Sequence, residues 1–450
     1  MSGRSPWSRA HAERLLWRAG FGATPAELDH WAGRSREDCV DWLIRGGSGP
    51  HGTALSVGPE PTAKGSKLDP RNEWGHDQIW WLDRMVRTQR PLVEKMTLFW
   101  HDHFATRDQD TPLMLAQNDL LRKHALGSFR TLLRGITRDP AMQGFLSLVQ
   151  SNKSEPNENF ARELLELFTL GVGGGYSERD VREAARALTG FVRRSGYGQL
   201  LRIGFDPTRH DAGVKQVLGR RGKLDANGVL DAAIAHRAHA PYLVGRLWSN
   251  FVTAPLSRET HRALSRSYIR SGYRIAPVVR AILLHDALYE GLDRPAMVKS
   301  PVVLIAGMLR MTGKPVDTND WSWIAGGMGQ SLFKPPSVAG WDQGTAWLSS
   351  SAMRSRMLAA TWITRDGAVK VGDKGADRAW SAEQQVEAAR AATGRPWTSP
   401  HTDAELLRLA RRFMTVEKLQ RDGRPANHIA AVTQSALRHL LLSGPDAQLH

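Results

Sequence analysis

The sequence predicts an all-α or nearly all-α protein, one large multi-helix domain with a small β-hairpin insertion. Three observations support that class. Apolar residues recur at helical spacing through most of the 450 residues. Helix-start and helix-stop residues bracket the periodic segments, and strand-like alternation is confined to residues 191–219.

Thr24-Pro25-Ala26-Glu27 is a capping box with Pro at the first helical position, opening a short helix toward Trp31. Ser35 caps a helix to Arg45 that Gly46-Gly47 closes, and residues 46–75 turn Gly-, Pro- and Ser-rich as a flexible surface loop. Residues 76–106 read as two helices broken near Pro91. Further helices are predicted at 113–125, 128–137, 140–150, 157–170, 178–190, 226–236, 239–252, 259–270, 275–285, 300–312 and 351–364. Between them, Leu201, Ile203 and Phe205 alternate ahead of Val217 and Leu218, which suggests the hairpin. Residues 314–350 form a long Trp-, Gly- and Pro-rich segment, either a packed loop or part of a site. Residues 366–400 read as a linker between a main domain (1–365) and a C-terminal helical segment (401–450) that packs on it.

Composition narrows the partners. Hydrophobic residues make up 41% and charged residues 24%, enough apolar material for a substantial core. Sixteen Trp against six Tyr supply core anchors or pocket walls. The net charge of +16 is carried by Arg, since only 13 of the 61 basic residues are Lys. That excess fits an acidic partner protein or a polyanion, but an Arg-rich solvated surface fits it better, because no run of five or more basic residues occurs and acids are interleaved nearly everywhere. No nucleic-acid-binding signature is present. A single cysteine, Cys39, excludes an intramolecular disulfide and a thiolate metal cluster. The N-terminus lacks the apolar core of a signal peptide and no stretch is long enough to span a membrane, so the chain as written reads as cytoplasmic.

Three polar constellations could carry chemistry. In Phe99-Trp100-His101-Asp102-His103-Phe104, imidazole and carboxylate suit a divalent metal. On an unbroken helix, however, His101 and His103 point about 200° apart, His103 into the apolar face and His101 away from it. In NENFARELLELFTLG (157–171), Asn159, Arg162, Glu163 and Glu166 share a stripe opposite Phe160, Leu164, Leu167 and Phe168. The stripe is either a solvated face with an Arg162–Glu166 pair or the wall of a cleft. The triple glycine after it reads as a helix end and turn, with Ser177 capping the next helix. The third cluster is His210, Asp211 and Lys215 on a loop.

Together with Leu15-Leu16-Trp17-Arg18-Ala19-Gly20-Phe21-Gly22, YSERDVREAARALTGF at 176–191 and LFKPPSVAGW at 332–341, these blocks resemble the bacterial family called domain of unknown function 1800, in order over about residues 10–440. The resemblance implies a largely helical protein of unknown activity, often encoded beside a family similar to secreted sulfatases or phosphatases. Many members carry an export signal, which leaves an extracytoplasmic location open. It also strengthens the cleft reading of the Asn159–Glu166 stripe.

The expectation is therefore an enzyme, with or without a divalent metal, acting on an anionic substrate such as a phosphate, sulfate or acidic glycan. Its catalytic candidates are His101, Arg162, Glu163, His210, Asp211 and Lys215. Asn159, Tyr176, Trp341 and Trp347 are the substrate-binding candidates, and His101, Asp102, Glu163 and Glu166 the metal ligands. The alternative is a non-catalytic accessory protein whose basic surface binds an acidic partner or polyanion.

Overall fold

The computed structural model describes residues 6–46, 61–194, 201–365, 380–415 and 426–450. Helices α1 (Arg9–Arg18), α2 (Pro25–Ala32) and α3 (Arg36–Arg45) open the chain. Both halves of the Thr24–Glu27 capping box form, and Ser35 and Asp38 make a second one at α3. Of the predicted loop 46–75, residues 47–60 lie outside the described set. The remainder carries a minimal hairpin, β1 (Thr62–Ala63) with β2 (Ser66–Lys67). Pro91 separates α4 (His76–Arg87) from α5 (Pro91–His103).

Helices α6 (Thr111–His124), α7 (Phe129–Thr137) and α8 (Pro140–Phe145) follow, then α9 (Asn159–Glu163) and α10 (Glu178–Ala187). The region predicted as one hairpin holds two. β3 (Phe191–Arg194) pairs antiparallel with β4 (Arg202–Phe205), and β5 (Lys215–Val217) with β6 (Arg220–Gly222). The alternating Leu201–Phe205 segment thus turns back on Phe191 rather than on Val217. Next come α11 (Ala226–Ala235), α12 (His239–Phe251), α13 (Arg258–Arg270), α14 (Ile275–Leu283) and α15 (Pro301–Thr312). Within the Trp/Gly/Pro-rich segment lie α16 (Asp320–Gly327) and a 3₁₀ turn at Gly344–Leu348, before α17 (Ser350–Arg365).

The supposed linker needs correction. Residues 366–379 are outside the described set, but Ala382–Ala392 form helix α18. It packs with α19 (Pro400–Met414) and α20 (Ala426–Ser443) through Val386, Ala389, Leu406, Ala410, Leu437 and Leu441. Alanine-rich periodicity with a Ser381–Gln384 capping box was the signal in this stretch. Helix α20 also rests on α17.

Helix α5 organises what matters for function. Leu92, Val93, Met96, Phe99 and Trp100 join one large buried cluster, which gathers α1–α3, α7, α10–α12 and α14. Leu98 joins a second, built from α4, α15, α16 and α17. A helix that meets protein on all sides must be apolar nearly all round. Every residue of α5 except Asp102 is buried. No helix among the described residues is long and apolar enough to cross a membrane.

Candidate functional site

The two histidines of α5 diverge as helical geometry requires. His103 is buried in the large core, and its Nε2 bonds the Phe168 carbonyl at 3.1 Å. His101 does not look into a cleft. Its ring is 1% exposed, packed against Trp81, Phe333 and Trp341, and its Nε2 has no hydrogen-bond partner among the described residues. Burial pushes both imidazoles down to about 3, so both are neutral.

The Asn159–Glu166 stripe is interrupted by backbone geometry. After Glu163 the helix widens into a π-helix over Leu164–Leu170, which rotates Glu166 out of the α-helical register. The expected Arg162–Glu166 pair is absent. Arg162 instead binds Glu178 at 2.8 Å and Glu158 at 3.2 Å, while Glu166 accepts from the Tyr176 hydroxyl at 2.9 Å. Asn159 is exposed, and Glu163, half-buried beside Glu166, has its carboxyl pushed up by desolvation and then by that neighbour. The last carbonyls of the π-helix are met by side chains from elsewhere: Leu167 by the Tyr242 hydroxyl, Phe168 by His103, Thr169 by His239 Nδ1. Orphan carbonyls at a buried helix end demand such donors, so His103 and His239 serve the fold.

His210, Asp211 and Lys215 form a clasp between α10 and the β5–β6 hairpin. His210 Nδ1 donates to the Thr189 carbonyl at 2.9 Å, and Asp211 accepts from Arg186 Nε at 2.7 Å. The ammonium of Lys215, fully buried, donates to the carbonyls of Asp211, Gly213 and Leu224. Asp180 and Glu183 of α10 accept the backbone N–H groups of Leu218 and Gln216. Arg186, Asp211 and Lys215 find their partners inside the clasp.

A cavity lined by charged groups lies elsewhere. Its volume is about 390 Å³, and α5, α12, residues 296–303 and the loop 343–347 line it. Lys95, Leu98, Phe99 and Asp102 face it from α5 at i, i+3, i+4 and i+7. Arg246, Ser249 and Asn250 face it from α12 at i, i+3 and i+4, and Thr253 follows just past the helix end. Asp102 is held by the Trp341 backbone N–H at 2.8 Å and Gln343 Nε2 at 3.1 Å, with Arg246 Nη2 at 3.8 Å. Desolvation pushes its carboxyl up to about 6 against those hydrogen bonds. The close approach of the Trp341 strand depends on Gly340, which adopts φ +87 and whose Cβ would collide with Asp102 Oδ1. Lys95, 8% exposed, meets no hydrogen-bond acceptor among the described residues. Its neighbours are the Phe21 ring and Arg18, and burial pushes its ammonium down to about 7.

Of the candidates named from sequence, Asp102 and Trp347 line this cavity. Trp341 and His101 back Asp102 and do not line it. Arg162, Glu163, Glu166, Asn159, Tyr176, His210, Asp211 and Lys215 stand outside its lining. No group of three or more His, Cys, Asp or Glu able to hold a metal ion occurs among the described residues, so His101, Asp102, Glu163 and Glu166 do not assemble as one. Sequence reading missed Lys95, Arg246 and Asn250. The available signal was Lys95 and Asp102 seven apart on α5, with Arg246, Ser249 and Asn250 together on one face of α12.

The molecule is thus defined as a helical protein with an acid-flanked, cationic cavity between α5 and α12. The family model described as a protein of unknown function (DUF1800) matches residues 14–449, and the chain belongs to that family. No curated protein and no solved structure matches it.

Proposed function

We propose that the chain is an enzyme that acts on an anionic substrate in the α5–α12 cavity. Arg246 and Lys95 hold the anion, and Asp102 takes or gives the proton in the chemical step. One observation carries this reading: Lys95 and Asp102 line the same cavity with proton affinities moved toward each other, to about 7 and about 6. An acid–base group works best when its pKa lies near the operating pH, and burial has brought both groups there. The protonated Lys95 and ionised Asp102 coexist only between those values. The profile of kcat/KM should therefore rise through about pH 6 and fall through about pH 7, reporting the free enzyme.

The test is a panel of chromogenic aryl phosphates, aryl sulfates and uronic-acid glycosides, run on the wild type, Asp102→Asn and Lys95→Met after circular dichroism confirms their folds. Turnover that falls steeply in Asp102→Asn, with the acid limb lost from the residual activity, supports the reading. Turnover unaffected by either substitution would move the chemistry elsewhere. No turnover at all, with polyanion binding that ignores Lys95→Met, would assign the Arg-rich surface an accessory role instead.

A further inference from the structure

Between Asp231 and Asp286 the chain carries eight Arg, no Lys and a single acid, Glu259. Two of the eight face acids inside the protein, Arg246 beside Asp102 and Arg280 on Asp41. Four others, Arg258, Arg262, Arg266 and Arg270, stand four residues apart along α13, and all four are exposed. None of them makes a side-chain hydrogen bond, ion pair or ring contact among the described residues. Other surface arginines, such as Arg162, Arg408 and Arg411, each hold a carboxylate. The arrangement works against the helix that carries it. Like charges four apart on a helix repel, and Arg258 puts a cation in the first turn, where the macrodipole disfavours one. Glu259 offsets the charge at that end only. The packing of α13 uses its other face, through Leu264, Ser265 and Tyr268. The file of arginines therefore serves neither the helix nor the core.

Its geometry narrows the partner. At 1.5 Å per residue the four stems leave the helix at intervals of about 6 Å over about 18 Å, and each step turns the file by about 40°. A flat bilayer meets only part of a file that winds round its helix. A protein partner needs large apolar anchors, and Ile269 is the single large apolar side chain exposed on α13. Single-stranded nucleic acid needs aromatic faces for its bases, and the one aromatic ring of α13, Tyr268, is buried. A flexible chain that bears sulfate or carboxylate groups and no bases can follow the turn. Guanidinium meets either group with two parallel hydrogen bonds.

We propose that the arginine file of α13 is a docking surface for an acidic polysaccharide. No α13 residue lines the α5–α12 cavity, so the surface stands whether or not that cavity is catalytic.

The experiment is fluorescence anisotropy of labelled polygalacturonate and dextran sulfate oligomers with the full chain, across a salt series. Uncharged dextran, an oligothymidylate and phosphatidylglycerol vesicles serve as competitors. The proteins are the wild type, the double variant Arg262→Gln with Arg266→Gln, and the control Arg408→Gln with Arg411→Gln. The control removes the same charge from α19. Gln keeps helix propensity close to that of Arg, and circular dichroism checks both folds. Four contacts predict that log affinity falls with log salt at a slope of about −3. The α13 variant should bind at least one of the two oligomers about tenfold more weakly, with a slope shallower by about 1–2. The control should stay within about twofold of the wild type, and uncharged dextran should not compete. Equal losses in the two double variants would leave only diffuse charge and overturn the proposal. Oligothymidylate or vesicles that displace the oligomers at a lower charge concentration than the unlabelled polysaccharide would overturn it as well. The aryl-substrate assay with Asp102→Asn reads the cavity alone, so either idea can fail while the other stands.

Discussion

Lys215 and Lys95 are both buried lysines in a basic protein, yet they live in opposite surroundings. Lys215 sits in the clasp between α10 and the β5–β6 hairpin with three carbonyl acceptors around its ammonium. Lys95 opens on the α5–α12 cavity beside Arg18 and a phenyl ring, with no acceptor among the described residues. A paired buried cation stabilises the fold it completes. An unpaired one is a standing cost, and a chain that keeps it keeps it for something the fold does not use. The His210–Lys215 cluster belongs to the first kind, and the cavity belongs to the second.

The largest expected effect breaks that comparison directly. Lys215→Met strips three buried carbonyls of their donor and should lower unfolding free energy by about 3–5 kcal/mol, measured by urea denaturation. A loss below about 1 kcal/mol would erase the distinction between the two lysines.

Lys95→Met should do the opposite and raise stability by about 1–3 kcal/mol at pH 6. The sign follows from linkage. Burial pushes the folded ammonium from 10.5 down to about 7, so the unfolded chain binds more protons between those values. The cost of burying Lys95 is therefore full below about pH 7 and fades as pH rises toward 10.5. The gap between variant and wild type should narrow over that range. Arg18 of α1, Arg246 of α12, Lys299, His450 and Asp102 all bear on this site, so the comparison is best made at one fixed ionic strength. Lower stability of the methionine variant at pH 6 would mean that Lys95 has an unrecognised stabilising role.

Gly340→Ala sharpens the picture at the acid. The left-handed backbone alone should cost about 1–2 kcal/mol. Because the new methyl meets Asp102, the acid limb of the kcat/KM profile should move even where the variant remains folded. An unmoved limb would detach Asp102 from that titration. The smallest effect is expected at Arg162, whose side chain is 36% exposed in its pairs with Glu158 and Glu178. Arg162→Ala should change stability by no more than about 0.5 kcal/mol and leave turnover in the cavity alone.

Much of the fold was legible because its rules are local. The capping box at Thr24, the cap at Ser35, the break at Pro91 and the divergence of His101 from His103 each depend on residues within a turn or two. The linker reading failed on Ala382–Ala392 because a short alanine-rich helix has little apolar contrast, and its partners α19 and α20 lie further along the chain. The Arg162–Glu166 pair failed because a wheel assumes one period throughout. The π-helix that breaks the period is supported by Tyr242, His103 and His239, from two other helices.

By itself, then, the sequence determined where helices begin and end, that they would dominate, and which faces would be apolar, since capping and periodicity are written in neighbouring residues. Only the tertiary structure decided which polar residues would be satisfied and which left over. Whether Lys95 finds an acceptor depends on what α12, the 343–347 loop and residue 450 bring to it across more than a hundred residues of chain. Pairing in space, unlike periodicity, leaves no mark in local sequence.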